Sequence, residues 1–402
     1  MSRLDVNTLR HTAGSADNIT LDNSQNVTVE GNLTVDGTTT LTGAVTLPAG
    51  TTSDTLSFRN LVINGAMQVA QRGTSSTTNG YGSIDRYAVH SGGTDEVPTH
   101  AQITLTSSDT GPWGKGFSKA LQVTNGNQSS GAGSGDSIEL QTILEGQDVH
   151  NSGWVPTDTN SKLTISYWAK SSVAQTFYFR FRAFASSEYE YTYSVALSAN
   201  TWTKVTKAIP GNSNFSSLVN TNAKGFFHSW ALFNGTDQTN NKTLDAWAVK
   251  DNANKSPDCT STWYTTNDAT FAITGVQLEV GDTATEFEHR SYADELRRCQ
   301  RYYEQSDSIA NATTGNWWFY PFGAYELWGP NSFRVEKRDT PTITTYTNAG
   351  ATGGAHRLGS PDVSSITAQK ISRYGVQKLG KSDGGLTAGN PYICGWSAAS
   401  EL

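Results

Sequence analysis

The stretch "NWWFYPFGAYELWG" (Asn316 to Gly329) gathers the side chains best suited to chemistry in this chain. Trp317, Trp318, Tyr320, Tyr325 and Trp328 offer flat aromatic faces beside Asn and Glu. That combination can stack on the apolar face of a sugar ring and hydrogen-bond its hydroxyls. Strand alternation puts Trp318 and Tyr320 on one face and Trp317 and Phe319 on the other, so one set is expected to be core. "TFYFRFRAF" supplies a second candidate, with Phe177, Phe179 and Phe181 on one face and Tyr178, Arg180 and Arg182 on the other. This polar set could face a glycan, solvent or a neighbouring subunit.

Catalysis is a weaker expectation. Glycoside hydrolysis requires two carboxylates on one site, separated by about 5–10 Å. Glu188 and Glu190 share a strand face and Asp136 and Glu139 flank a loop, but no constellation stands out, so the chain is expected not to be an enzyme. The seven His are scattered without helical HxxxH spacing or a neighbouring Cys, so neither a metal nor a cofactor is expected. A structural calcium would need oxygen ligands, which "DNANKSPD" (Asp251 to Asp258) could supply, yet its spacing is not diagnostic. Gly-rich "NGNQSSGAGSGDS" lacks a following Lys and a strand-to-helix context, and reads as a loop.

These residues must be held by β structure. The 402-residue chain is 36% hydrophobic, 16% charged and 10% aromatic, with scarce helix-forming runs, which predicts an all-β protein of two or three domains. Its net charge of −7 argues against nucleic acid as a partner, and no apolar run reaches membrane-spanning length. Cys259, Cys299 and Cys394 are widely spaced and fit neither a disulfide framework nor a zinc motif. Residues 1–13 read as a polar attachment peptide. Residues 14–58 read as a thin, repetitive β shaft and hinge, with the pairs Ile19/Leu21, Val27/Val29 and Leu33/Val35 and with Gly31, Gly37 and Gly43 six residues apart. A single copy of such a rod would leave its strand edges unpaired.

Residues 59–289 alternate in strands of ordinary length, predicting a jelly-roll-like antiparallel sandwich. "RSYADELRRCQRYYEQ" (290–305) predicts one short helix, with Ser291 as cap, acids first and Arg297, Arg298 and Arg301 last. Tyr292, Leu296, Cys299 and Tyr303 follow a 4, 3, 4 spacing, a narrow stripe suited to a seam between identical helices or to packing on the helix's own sandwich. Residues 306–402 read as a small C-terminal β domain.

"NLVINGAMQVAQRG" followed by "IDRY" (Ile84 to Tyr87) resembles the opening of a domain common in bacteriophage tail-fibre proteins, marine ones included. "ITGVQLEVGDTATEFEHRSYADELRRCQRYYE" (Ile273 to Glu304) is similar to the end of that domain and its following helix. "LTISYWAKSS", "TWTKVT" and "GVQLEVG" look like the β-sandwich of carbohydrate-binding modules, and the resemblance covers about residues 60–402. It implies a homotrimeric virion fibre, assembled in the host bacterial cytoplasm. The N-terminus would join other tail or baseplate proteins, and the distal β domains would bind host polysaccharide or lipopolysaccharide. In a trimer, copies of the rod could pair one another's edges. A capsid or baseplate fibre with an architectural role, or a polysaccharide-degrading fibre, are the alternatives.

Overall fold

A computed structural model describes residues 59–307, 309 and 316–402, together with three short strands nearer the N-terminus. The chain divides into two compact units, Met1–Ala49 and Gly50–Leu402. In the first, β1 (Thr8–Leu9), β2 (Ile19–Leu21) and β3 (Val27–Val29) form an antiparallel meander in the order β1-β2-β3. Ile19 pairs with Val29 and Leu21 with Val27, so these short apolar pairs find strand partners within their own chain. The remainder of the expected attachment peptide and shaft lies outside the described residues.

The second unit opens with β4 (Ser75–Ser76), β5 (Tyr87–Gly92), β6 (Thr99–Thr104), β7 (Lys119–Thr124), β8 (Ser137–Glu145) and α1 (Gly146–His150). It continues through β9 (Lys162–Ser171), β10 (Gln175–Phe184), β11 (Glu188–Leu197), β12 (Thr203–Pro210) and β13 (Lys224–Asn234). β14 (Trp247–Val249), α2 (Thr262–Thr265) and β15 (Thr270–Val280) complete the sandwich. One six-stranded sheet runs β14-β11-β10-β13-β8-β5 and the other β12-β9-β15-β7-β6-β4. Every pairing in both is antiparallel, and the fold is the expected β-sandwich.

Alternation explains the core. Leu163, Ile165, Tyr167 and Ala169 of β9 face inward against Phe177, Phe179 and Phe181 of β10 and Trp230 of β13, all buried. Each such side chain contributes roughly 1.5–3 kcal/mol when taken from water. Two hydroxyls and an imidazole cross this core: Tyr167 OH lies 3.0 Å from Tyr193 OH, which lies 2.8 Å from His228 Nε2. Burial drives the His228 pKa well below its ordinary value, so the ring is neutral.

After the sandwich come α3 (Tyr292–Gln300), β16 (Tyr303–Gln305), β17 (Trp317–Phe322), β18 (Glu326–Ser332) and β19 (Thr342–Tyr346). The chain ends in β20 (Ala355–Arg357), β21 (Asp362–Val363), β22 (Ile366–Ser372), β23 (Gly375–Lys381) and β24 (Tyr392–Ala399). The path β21-β20-β24-β17-β18-β23-β22 makes a sheet to which β16 and β19 add on β24. β24 is its hub, pairing with β17 and β20 at one end and β16 and β19 at the other. Trp317, Phe319, Leu327, Leu379 and Trp396 fill a second, separate core.

The helix begins as expected, with Ser291 Oγ accepting from Asp294 N–H at 3.2 Å. The proposed seam is not an exposed stripe. Cys299 and Tyr303 are buried in their own chain, and Tyr303 lies beneath the Arg72 guanidinium, 3.6 Å from its ring centroid; Tyr292 is exposed and Leu296 half-buried. The inward side of α3 also carries Glu295, which accepts from Arg290 at 3.0 Å and from the Asn64 amide. A pattern of apolar residues alone cannot see an inward carboxylate that has its own partners.

The two motifs that carry the fibre resemblance meet in space. Asn60 Nδ2 donates to the Val276 carbonyl at 3.1 Å, and Asn60 Oδ1 accepts from the Leu278 amide at 3.1 Å. Asn64 donates to the carbonyls of Val69 and Asp85, and Gly65 abuts the Val276 carbonyl so closely that a Cβ would collide with it. These residues are therefore fold determinants, knotting the first and last segments of the sandwich.

Candidate functional site

β17 and β18 form a hairpin through Gly323, whose φ of +71° suits the turn. Trp317 is only 5% exposed and stacks on Trp396 with centroids 4.2 Å apart and rings 7° from parallel. It belongs to the core, and its inclusion among ligand-facing rings is corrected: the inward face is set by Trp396, which arrives on β24. Trp318, Tyr320 and Trp328 turn the other way and are 45%, 61% and 39% exposed. Tyr325 is exposed at the hairpin end, its ring lying over Gly384.

Register arranges the outward face. Tyr320 pairs with Trp328, Trp328 with Lys378 of β23, and Lys378 with Gln369 of β22, one row across four strands about 4.8 Å apart. Phe322 and Glu326 pair in the next row. Trp328 is fixed in place: its Nε1 donates to Glu326 Oε2 at 2.9 Å, and Lys378 Nζ lies 5.5 Å from its ring centroid while ion-pairing with Glu326. Hydrogen bonds from Lys378 and Trp328 hold the Glu326 carboxyl below its usual range, keeping it a charged acceptor. Asn331 pins the start of the row, its Nδ2 donating to the Trp318 carbonyl at 3.1 Å beside a bulge in the β18–β23 register.

Phe322, Glu326, Lys378 and Gln369 were not among the sequence-derived candidates. Phe322 continues the Trp318–Tyr320 alternation and could have been found from it. Lys378 and Gln369 come from strands some fifty residues on, with no local signal.

The Tyr178, Arg180 and Arg182 set is placed differently from expectation. Arg180 is buried and donates to both oxygens of Glu139, at 2.7 and 2.6 Å. Arg182 donates to Glu190 Oε1 at 2.8 Å, and Tyr178 OH donates to Asp258 at 3.1 Å. Segment 238–258 roofs this sheet face: Thr192 Oγ1 donates to the Lys255 carbonyl and the Asp245 amide to the Thr192 carbonyl. Arg180 and Arg182 are thus consumed in ion pairs under a cover, and are corrected from glycan contacts to structural charges. Their partners Glu139 and Glu190 are two of the carboxylates considered for hydrolysis. Burial alone would raise Glu139, but Arg180 and Lys255 outweigh it and hold the group at about 2, too acidic for a general acid near neutrality. Among the described residues, no group of three or more His, Cys, Asp or Glu side chains is placed to hold a metal ion. No helix among them is long and apolar enough to cross a membrane.

A separate groove opens on the outer face of the β12-β9-β15 sheet, with Trp168 and Lys204 on one side and Phe287 and His289 on the other, enclosing about 170 Å³.

No protein-family model and no curated protein matches the chain. Similar solved structures include a family 11 carbohydrate-binding module of a cellulosomal cellulase from Clostridium thermocellum, at 12% identity and TM-score 0.25, covering 54% of this chain and 98% of that one. A xylan-binding domain from Paenibacillus barcinonensis (CBM22-1 of Xyn10C) matches at 10% identity and TM-score 0.27, over 56% of this chain and 96% of that one. The tandem CBM22-1–CBM22-2 domain of the same enzyme matches at 9% identity and TM-score 0.28, over 89% of this chain and all of that one.

Proposed function

We propose that the chain is a non-enzymatic fibre protein of a virus particle that binds cell-surface glycan on the outward face of β17, β18 and β23. One observation carries the binding: Trp318, Tyr320 and Trp328 expose their rings on one sheet face, with Glu326, Lys378 and Gln369 in the same rows. A pyranose ring laid on Tyr320 and Trp328 meets π faces with its C–H groups. Its hydroxyls meet the Glu326 carboxylate, the Lys378 ammonium and the Gln369 amide. Because Trp328 is already fixed by Glu326 and Lys378, little side-chain freedom is lost on binding.

The fibre assignment is supported by the two resemblance motifs. It includes a trimeric assembly, attachment through residues 1–13 to a tail or baseplate protein, and recognition of host polysaccharide or lipopolysaccharide. Imaging labelled protein in virions would separate a tail position from a capsid one.

The binding reading is tested with an array of neutral bacterial surface glycans probed by the full chain, Trp328→Ala and Tyr320→Ala. Each substitution is expected to weaken binding about tenfold, the equivalent of ~1.4 kcal/mol, without moving Tm. Binding that survives the joint loss of Trp318, Tyr320 and Trp328 would overturn it. Release of reducing ends from a bound polysaccharide would instead establish an enzyme.

A further inference from the structure

The groove on the outer face of the β12-β9-β15 sheet is built around an irregularity. Between Thr274 and Gln277 the β15–β9 register slips, and Gly275 sits there with φ of +64°. A Cβ at this position would lie 2.6 Å from the Phe117 ring, so the glycine lets that ring reach the sheet surface. Phe117 packs edge-on to Phe287 at 4.8 Å and beside His289 at 5.1 Å, an aromatic wall closed by contact rather than by chain connectivity. Opposite stands Trp168, half-buried, with its ring edge against Gly111, where an added Cβ would lie 2.7 Å away.

The rim carries two ammonium groups, Lys115 and Lys204, and one carboxylate, Glu286. Lys204 is the direct strand neighbour of Trp168, is exposed, and makes no ion pair with any described residue. Lys115 pairs at 3.3 Å with Glu286, an exposed contact of small energetic weight. His289 is tied down, its Nε2 lying 3.0 Å from the Lys115 carbonyl. One unpaired ammonium therefore borders a volume of about 170 Å³, room for a hexose ring rather than a single water.

We propose that this groove is a second saccharide subsite, selective for a sugar residue bearing a carboxylate. The sugar ring lies against Trp168 and its carboxylate pairs with Lys204. The proposal rests on the reading of the chain as a glycan binder, but it engages a different sheet and different residues. Acidic repeats are thereby read in the sandwich, while the C-terminal face takes neutral residues. The Lys204 contact is solvent-exposed, so its contribution falls with added salt.

The test is calorimetric titration of the full chain with galacturonate oligosaccharides and with neutral galactose oligosaccharides of the same length. Lys204→Glu, Trp168→Ala and Trp328→Ala are compared, with Lys204→Met as a milder variant and Tm as the check on folding. The expected result is that galacturonate affinity falls at least tenfold in Lys204→Glu and Trp168→Ala, falls less in Lys204→Met, and is unchanged in Trp328→Ala. Neutral oligosaccharides should show the reverse dependence. Galacturonate affinity that is absent, insensitive to Lys204 and Trp168, or equal to that for neutral oligosaccharides would overturn the proposal. Neutral binding indifferent to Trp328 would instead count against the C-terminal face alone.

Discussion

The carboxyl of Asp85 in the "IDRY" motif is raised toward neutrality. It is buried, and its carboxylate accepts from the Gln71 amide at 3.0 Å and from the Gln71 side chain, with Arg72 4.0 Å away and Glu401 also nearby. Burial outweighs Arg72 and pushes the group up to about 6. Because this lies above the unfolded value, the contribution of Asp85 to stability is complete below about pH 4 and is lost as pH rises through about 6. The gap from 3.8 to about 6 corresponds to at most about 3 kcal/mol. Asp85→Asn removes the titration, so its stability relative to the parent should climb between pH 4 and pH 7 in denaturant melts. A difference that stays flat over that range would contradict the assignment. Trp317 and Trp328 make a second residue-scale contrast. Trp317→Ala vacates the stack on Trp396 and should cost about 3–5 kcal/mol, lowering Tm, while Trp328→Ala should stay within about 0.5 kcal/mol. Calorimetry on both variants separates a core ring from a ligand ring before any sugar is added.

At the scale of elements, α3 is bound to the sandwich by charge. Glu145 at the end of β8 is fully buried and accepts from Arg301 at 2.7 and 2.9 Å and from Tyr302 OH at 2.5 Å. Removing Arg301 alone leaves a buried carboxylate short of its countercharge, so Arg301→Met should destabilise by about 3 kcal/mol. Arg301→Met combined with Glu145→Gln should recover most of that loss in urea titrations, and failure to recover would mean that Arg301 acts through packing. The strands of the sandwich and the Ser291 cap were legible because alternation and capping are local. Alternation also split Trp317 from Trp318. It could not say which was inside, because Trp396, the partner that decides it, lies about eighty residues away. Arg180 and Arg182 looked like surface charges for the same reason: Glu139, on another strand, and the 238–258 roof bury Arg180, while Glu190 of β11 neutralises Arg182. On α3 the spacing left a seam and packing on its own sandwich open, and Cys299 and Tyr303 are buried within their own chain, beside an inward Glu295 that spacing could not reveal. The Trp168 groove was illegible, since its walls come from five separate segments and its opening depends on one bulge.

The whole molecule comprises two units dividing between Ala49 and Gly50, with both proposed saccharide sites in the second. That unit contains its own apolar cores, and its motif residues Asn60, Asn64 and Arg86 find their partners within it. A chain beginning at residue 50 should therefore fold and should keep the affinity of the full chain for short oligosaccharides. Polysaccharide or cell surfaces are a different matter. If the N-terminal unit gathers copies into a trimer, each further contact becomes intramolecular, and retention rises by about 10²–10⁴ without any new side chain. Light scattering should then report a trimer for the full chain, and surface binding should show slow release that is lost on truncation while solution affinity stays constant. A truncated chain that remains trimeric and keeps slow release would move trimerisation into the second unit. A monomeric full chain with fast release would leave a single-copy glycan binder and remove the fibre geometry altogether.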